Sequence, residues 1–224
     1  MEAIIPNDSD MLVRLPTGEG KSVLFQVPAL VRGLKTQRLT IVVTPLRALM
    51  ADQVRSLWGM GFFQSVDYIS GDRDPWITSE VYQGIIDNRI KLFYIAPERF
   101  RIPRFREALS RRLEHDQSFE YVVIDEAHCI SQWGFEFRPD YLYAIKELRK
   151  LCRTVEPFSR FLFFSATVTD ATLNAIKEEV GITANDNFKI KPETMSHPIQ
   201  PFIRLHSEDV QSELYGADIT SARL

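Results

Sequence analysis

Five short apolar runs, each ending in a polar or glycine-bearing turn, constrain this chain more than any other feature. They lie at residues 11–15, 40–44, 91–96, 121–125 and 161–164. Most are continuous in hydrophobicity instead of alternating. A strand reads that way when both its faces are buried, which is the condition of a parallel sheet covered by helices on both sides. Helical periodicity predicts helices over 22–33, 47–60, 79–88, 104–114, 140–151 and 170–180. Strand and helix therefore alternate, and the expected fold class is α/β: a doubly wound, mostly parallel sheet with helices on both faces. Ligands of such sheets sit beyond the carboxyl ends of the strands. The chain's chemistry-bearing motifs fall at those ends.

The first is Leu15-Pro16-Thr17-Gly18-Glu19-Gly20-Lys21-Ser22, between a strand and a helix. Glycines at 18 and 20 let the backbone turn sharply and aim its N–H groups at phosphate oxygens. The following helix adds its N-terminal dipole. Thr17, Gly18, Glu19, Gly20, Lys21 and Ser22 form the expected nucleotide cradle, with Lys21 on the β- and γ-phosphates and Ser22 on Mg²⁺. The strict phosphate-loop pattern has glycine where this chain has Leu15. A glycine-rich turn with an incidental lysine is the bland alternative, and the second motif counts against it.

That second motif is the apolar strand Tyr121-Val122-Val123-Ile124 running into Asp125-Glu126-Ala127-His128. Adjacent carboxylates after a buried strand suit hydrolysis of a magnesium nucleotide. Asp125 is the expected metal residue, and Glu126 the base that orients and deprotonates the attacking water. With Lys21 they make up the expected catalytic set. ATP and Mg²⁺ are the expected cofactors.

From Asp125 the chain continues Cys129-Ile130-Ser131-Gln132-Trp133-Gly134-Phe135-Glu136-Phe137-Arg138-Pro139-Asp140-Tyr141. This run closely resembles the segment that follows the DEAH box in the RecQ family of helicases. Thr44 to Gln53 is similar to motif Ia of that family, Tyr94 to Phe100 to motif Ib, and Phe164-Ser165-Ala166-Thr167 to motif III. The resemblance spans roughly Asp10 to Gly181. It implies the first RecA-like domain of an ATP-dependent DNA helicase of the 3'-5' type. It also implies coupling through His128, Ser165 and Thr167, and contact of Trp133, Phe137, Arg138 and Pro45 with nucleic acid. Aromatic faces stack on bases and arginine pairs with phosphate, so the chemistry agrees. The chain departs from the family at Phe135-Glu136, where the family has His-Asp, and phenylalanine cannot make a histidine's polar contacts. Ser165 stands where the family often has threonine and keeps the hydroxyl.

Three further readings follow. Residues 1–190 are expected to form the motor domain. Residues 191–224, with Pro192, Pro198 and Pro201, are expected to be an exit segment towards a second RecA-like domain that this chain lacks. The adenine-reading glutamine of the family, its arginine finger and its four-cysteine zinc module have no counterpart here. A net charge of -3 does not announce a nucleic-acid binder, but a local groove suffices. No stretch approaches the 18 apolar residues of a membrane span, and the N-terminus lacks the basic run of a signal peptide. Two cysteines suit a reducing compartment, cytoplasmic or with DNA in a nucleoid or nucleus. Arg99, Arg101, Arg104, Arg106, Arg111 and Arg112 read as the solvated face of an amphipathic helix. The oligomeric state stays open. So do two other functions: an RNA-remodelling ATPase, and a nucleotide-switched binding module.

Overall fold

The computed structural model describes residues 10–16, 18, 20–114, 118–130, 138–155, 159–180 and 189–191. Its elements in chain order are β1 (Met11–Arg14), α1 (Lys21–Thr36), β2 (Thr40–Val43), α2 (Arg47–Gly59), β3 (Val66–Ile69), α3 (Pro75–Ile86), β4 (Leu92–Ile95), α4 (Pro103–Leu113), β5 (Tyr121–Ile124), α5 (Pro139–Cys152), β6 (Arg160–Ser165), α6 (Asp170–Val180) and β7 (Lys189–Lys191). Short 3-10 turns at Pro97–Arg101 and Ala127–Ile130 follow β4 and β5. The strands form one sheet in the order β3-β4-β2-β5-β6-β1-β7, and every pairing among them is parallel.

The continuous apolar runs have the expected cause. Successive residues of one strand enter different cores. Met11, Val13, Val42, Tyr94, Val123, Leu162 and Phe164 pack with Phe25, Leu30, Met50, Val54 and Leu57 of α1 and α2. Leu12, Ile41, Val43, Phe93, Ile95, Val122, Ile124 and Phe163 pack on the other face, with residues of α3, α4, α5 and α6. Each such side chain, fully buried, contributes about 1.5–3 kcal/mol of transfer free energy. The rings of Phe25 and Phe164 meet edge-on at 5.3 Å across the first of these cores.

Four details differ from the sequence reading. β3 was not expected, because Val-Asp-Tyr-Ile at the sheet edge is buried only at its ends. Its Asp67 pairs with Arg73 at 2.5 Å, and the Arg73 guanidinium lies 4.4 Å from the Tyr68 ring centroid. α1 runs past Gly33 to Thr36. Gly33 is there for close approach, since a Cβ would lie 2.9 Å from the Arg38 carbonyl oxygen. The arginine cluster is a solvated face only in part: Arg101, Arg104 and Arg111 are exposed, and the others are not. Arg112 is 1% exposed, Arg106 reaches the Tyr143 hydroxyl, and Arg101 pairs with Asp140 at 2.5 Å. β7 straddles residue 190, where the expected domain boundary falls.

Asp10 ties the start of the fold together. Its carboxylate accepts from the Phe161 backbone N–H at 2.8 Å and pairs with Arg149 of α5. Both cysteines are buried, and neither forms a disulfide among the described residues. No helix among the described residues is long and apolar enough to cross a membrane.

Candidate nucleotide site

The motif-bearing strands β2, β5, β6 and β1 are neighbours in the sheet, and their carboxyl ends converge. After β1 the chain turns through Gly18 and Gly20, with φ of +89° and +76°. Those left-handed values favour glycine. Gly20 is the N-cap of α1, and Lys21 and Ser22 open its first turn. The Leu15 N–H donates to the Ser165 carbonyl at 3.1 Å, which joins the loop's base to β6. Thr17 and Glu19 lie outside the described residues.

Lys21 is buried, and its Nζ donates to Glu126 Oε1 at 3.2 Å. Glu126 has φ of +50°, a left-handed conformation that costs a non-glycine residue about 1 kcal/mol or more. The two adjacent acids have different partners, Lys21 for Glu126 and Thr44 for Asp125. Asp125 is 5% exposed; its Oδ2 accepts from Thr44 Oγ1 at 3.4 Å. Its Oδ1 is buried without a hydrogen-bond partner among the described residues. Burial raises the Asp125 carboxyl above its ordinary range, Lys21 opposes the rise, and the neighbouring Glu126 charge adds to it. A buried carboxylate oxygen with no hydrogen-bond partner among the described residues fits an oxygen-seeking divalent cation. Tyr141 Oη donates to the Asp125 carbonyl at 2.9 Å and fixes the end of β5 against α5.

His128 stands between Glu126 and motif III. Its Nδ1 is 3.4 Å from Glu126 Oε2 and 3.1 Å from Ser165 Oγ. Ser165 Oγ in turn donates to the Thr167 carbonyl at 2.7 Å. A hydroxyl has one proton, and this one goes to Thr167. Ser165 therefore accepts, and the geometry assigns the ring proton to Nδ1. One polar chain thus runs Lys21–Glu126–His128–Ser165–Thr167. Sequence reasoning had put these residues on three separate motifs.

Pro45 is half-buried and Arg138 exposed at the ends of their loops. The Arg138 N–H donates to the Cys129 carbonyl at 3.0 Å, one residue beyond His128. Trp133, Phe135 and Phe137 lie outside the described residues. Thr44, Tyr141 and Gln53 were missed as site residues. A buried threonine or tyrosine looks like ordinary core in a sequence. Gln53 Nε2, at 2.9 Å from Ser22 Oγ, joins the site from another helix.

Fold and site together define a parallel α/β domain with a glycine-bearing turn, a lysine and paired acids at the carboxyl ends of its strands. A model of the DEAD/DEAH box helicase family matches residues 1–176, and the chain belongs to that family. Its relatives include the ATP-dependent helicase SGS1 of Saccharomyces cerevisiae, 38% identical over 140 residues, covering 62% of this chain and 9% of that protein. The ATP-dependent DNA helicase RecQ of Bacillus subtilis is 35% identical over 168 residues, covering 75% of this chain and 26% of that protein. The resemblance to RecQ helicases is thereby borne out. The chain spans only about a tenth to a quarter of these relatives' length. Among solved structures, the helicase MrfA bound to DNA and AMPPNP superposes with a TM-score of 0.62 at 18% identity, covering 83% of this chain and 25% of that one, a likeness of fold.

Proposed function

We propose that this chain is the ATP-binding motor domain of an ATP-dependent DNA helicase or translocase. The observation that carries the proposal is the continuous chain from Lys21 through Glu126 and His128 to Ser165. A simple ATPase needs the lysine and the glutamate. It does not need the glutamate wired to a second motif.

Lys21 donates to Glu126. Phosphate draws the ammonium away and leaves Glu126 free to orient a water molecule. The water oxygen bonds to the γ-phosphorus, the bond from that phosphorus to the ADP oxygen breaks, and Glu126 takes the water's proton. Ser22 and Asp125 would hold Mg²⁺, which shields phosphate charge when bound. Thr44 and Tyr141 keep Asp125 in place. His128 passes changes in the segment 131–137 to Glu126, and Trp133, Phe137, Arg138 and Pro45 are the residues proposed to meet single-stranded DNA. Residues 1–190 are the proposed motor domain and 191–224 its exit segment. A second RecA-like domain, in the same protein or a partner, is proposed to supply the cation that stabilises the transferring phosphoryl group. Acting on DNA places the protein in a nucleoid or nucleus.

The test is ATP binding and turnover by Lys21→Ala. Loss of both supports the reading, and unchanged steady-state hydrolysis overturns it.

A further inference from the structure

A second hydrogen-bonded chain reaches the site from α2. Gln53, in the second turn of α2, donates from Nε2 to Ser22 Oγ at 2.9 Å. Its Oε1 accepts from Gln26 Nε2 of α1 at 3.4 Å. Gln26 Nε2 also donates to Tyr94 Oη of β4 at 2.8 Å. Tyr94 is 1% exposed, so the far end of this chain is fixed in the core.

We infer that Gln53 is a positioning residue for the magnesium nucleotide: it presets the Ser22 hydroxyl and ties it to helix α2. A side-chain amide is a donor on one end and an acceptor on the other. Gln26, anchored on Tyr94, donates into Gln53 Oε1 and so turns the Gln53 NH₂ towards Ser22. A serine hydroxyl has two lone pairs and one proton. Gln53 occupies one lone pair, which leaves the other for a cation and the proton for a nearby acceptor. Without that contact, the hydroxyl samples three staggered rotamers, of which one presents the free lone pair correctly. The contact also couples the site to a surface. α2 begins at Arg47, which pairs with Glu98 on the turn after β4 at 2.6 Å. Gln53 lies six residues along the same helix, about 9 Å in rise. A shift of α2 along its axis therefore moves the donor that holds Ser22.

The inference rests on the proposed nucleotide site, and its test separates the two. A fluorescent N-methylanthraniloyl-ADP is titrated into the 224-residue protein with excess magnesium chloride, and again with EDTA. The ratio of the two affinities is the metal's contribution. Ser22→Ala sets the floor of that ratio. Gln53→Met keeps the side chain's length and removes its donor. It is expected to leave the EDTA affinity and the melting temperature unchanged and to lower the ratio by about threefold to tenfold, from rotamer freedom and the lost polar contact. Gln26→Met, which lets the Gln53 amide turn over, lowers the ratio less and serves if the first variant fails to fold. An undiminished ratio in a folded Gln53→Met variant overturns the inference alone. So does an equal loss with and without magnesium. Absence of any magnesium effect in the unmodified protein, or ADP binding undiminished by Lys21→Ala, overturns the nucleotide site and the inference with it.

Discussion

Replacing Glu126 with glutamine separates the two tasks assigned to it. Glu126 holds Lys21 at 3.2 Å, with the Lys21 and Glu126 side chains 10% and 16% exposed. Exposed ion pairs contribute at most about 1 kcal/mol, while breaking a fully buried pair costs about 3–5 kcal/mol. This pair is neither, and its lysine must exchange carboxylate for phosphate when ATP binds. Glutamine keeps the shape and removes the charge, so the exchange becomes easier by about 1 kcal/mol. That corresponds to ATP affinity about fivefold higher. Turnover moves the other way. Loss of a positioned general base lowers it by about two to four orders of magnitude. Calorimetric titration gives the affinity, and single-turnover hydrolysis gives the rate. If affinity and rate fall together in Glu126→Gln, the residue is a structural prop and the assigned chemistry is wrong.

The remaining predictions concern its neighbours. Asp125→Asn raises the melting temperature at neutral pH by about 2–4 °C for each 1 kcal/mol of burial penalty removed, and abolishes the magnesium effect on nucleotide binding. The sign follows from the raised carboxyl of Asp125. Its penalty is full above the folded-state pKa and vanishes below the unfolded one, so the variant's advantage shrinks as pH falls through that window. Tyr141→Phe removes a buried hydrogen bond to the Asp125 carbonyl and costs about 0.5–1.5 kcal/mol in a denaturant titration; a midpoint that does not move refutes the anchoring role. Trp133→Ala or Arg138→Ala lowers the stimulation of ATPase by single-stranded DNA and spares DNA-independent hydrolysis; a lower melting temperature with stimulation intact would make Trp133 a core residue. Stacking on one base is worth about 1–3 kcal/mol, so the loss in DNA affinity for Trp133→Ala is at least fivefold.

The sheet was legible because burial on both faces writes itself into the sequence as continuous apolar runs. β3 was not, because an edge strand with Asp67 and Tyr68 only partly covered breaks the run. The glycines at 18 and 20 were read correctly as backbone features, and Gly33 was not. Its small size answers the Arg38 carbonyl, a contact made by the chain beyond the helix. Arg112 looked like a surface charge by its neighbours Arg111 and Glu114, yet it is buried, with Nη2 at 2.6 Å from the Gln37 carbonyl and 2.7 Å from Asn88 Oδ1. Within the site, residues on motifs could be named from the sequence. The bonds between motifs could not. That Lys21 meets Glu126, or that Gln53 meets Ser22, depends on the order of β2, β5, β6 and β1 in the sheet, which no local pattern encodes. The left-handed backbone of Glu126 was also invisible, since any residue at a strand end can be forced into it by its surroundings.

The most direct test of the motor assignment is steady-state ATP hydrolysis by a form of the protein that contains a second RecA-like domain. The rate is compared without nucleic acid, with single-stranded DNA, and with single-stranded RNA of the same sequence. The account predicts stimulation by DNA that is larger than by RNA and that disappears in Trp133→Ala. Hydrolysis that is indifferent to both nucleic acids would contradict it.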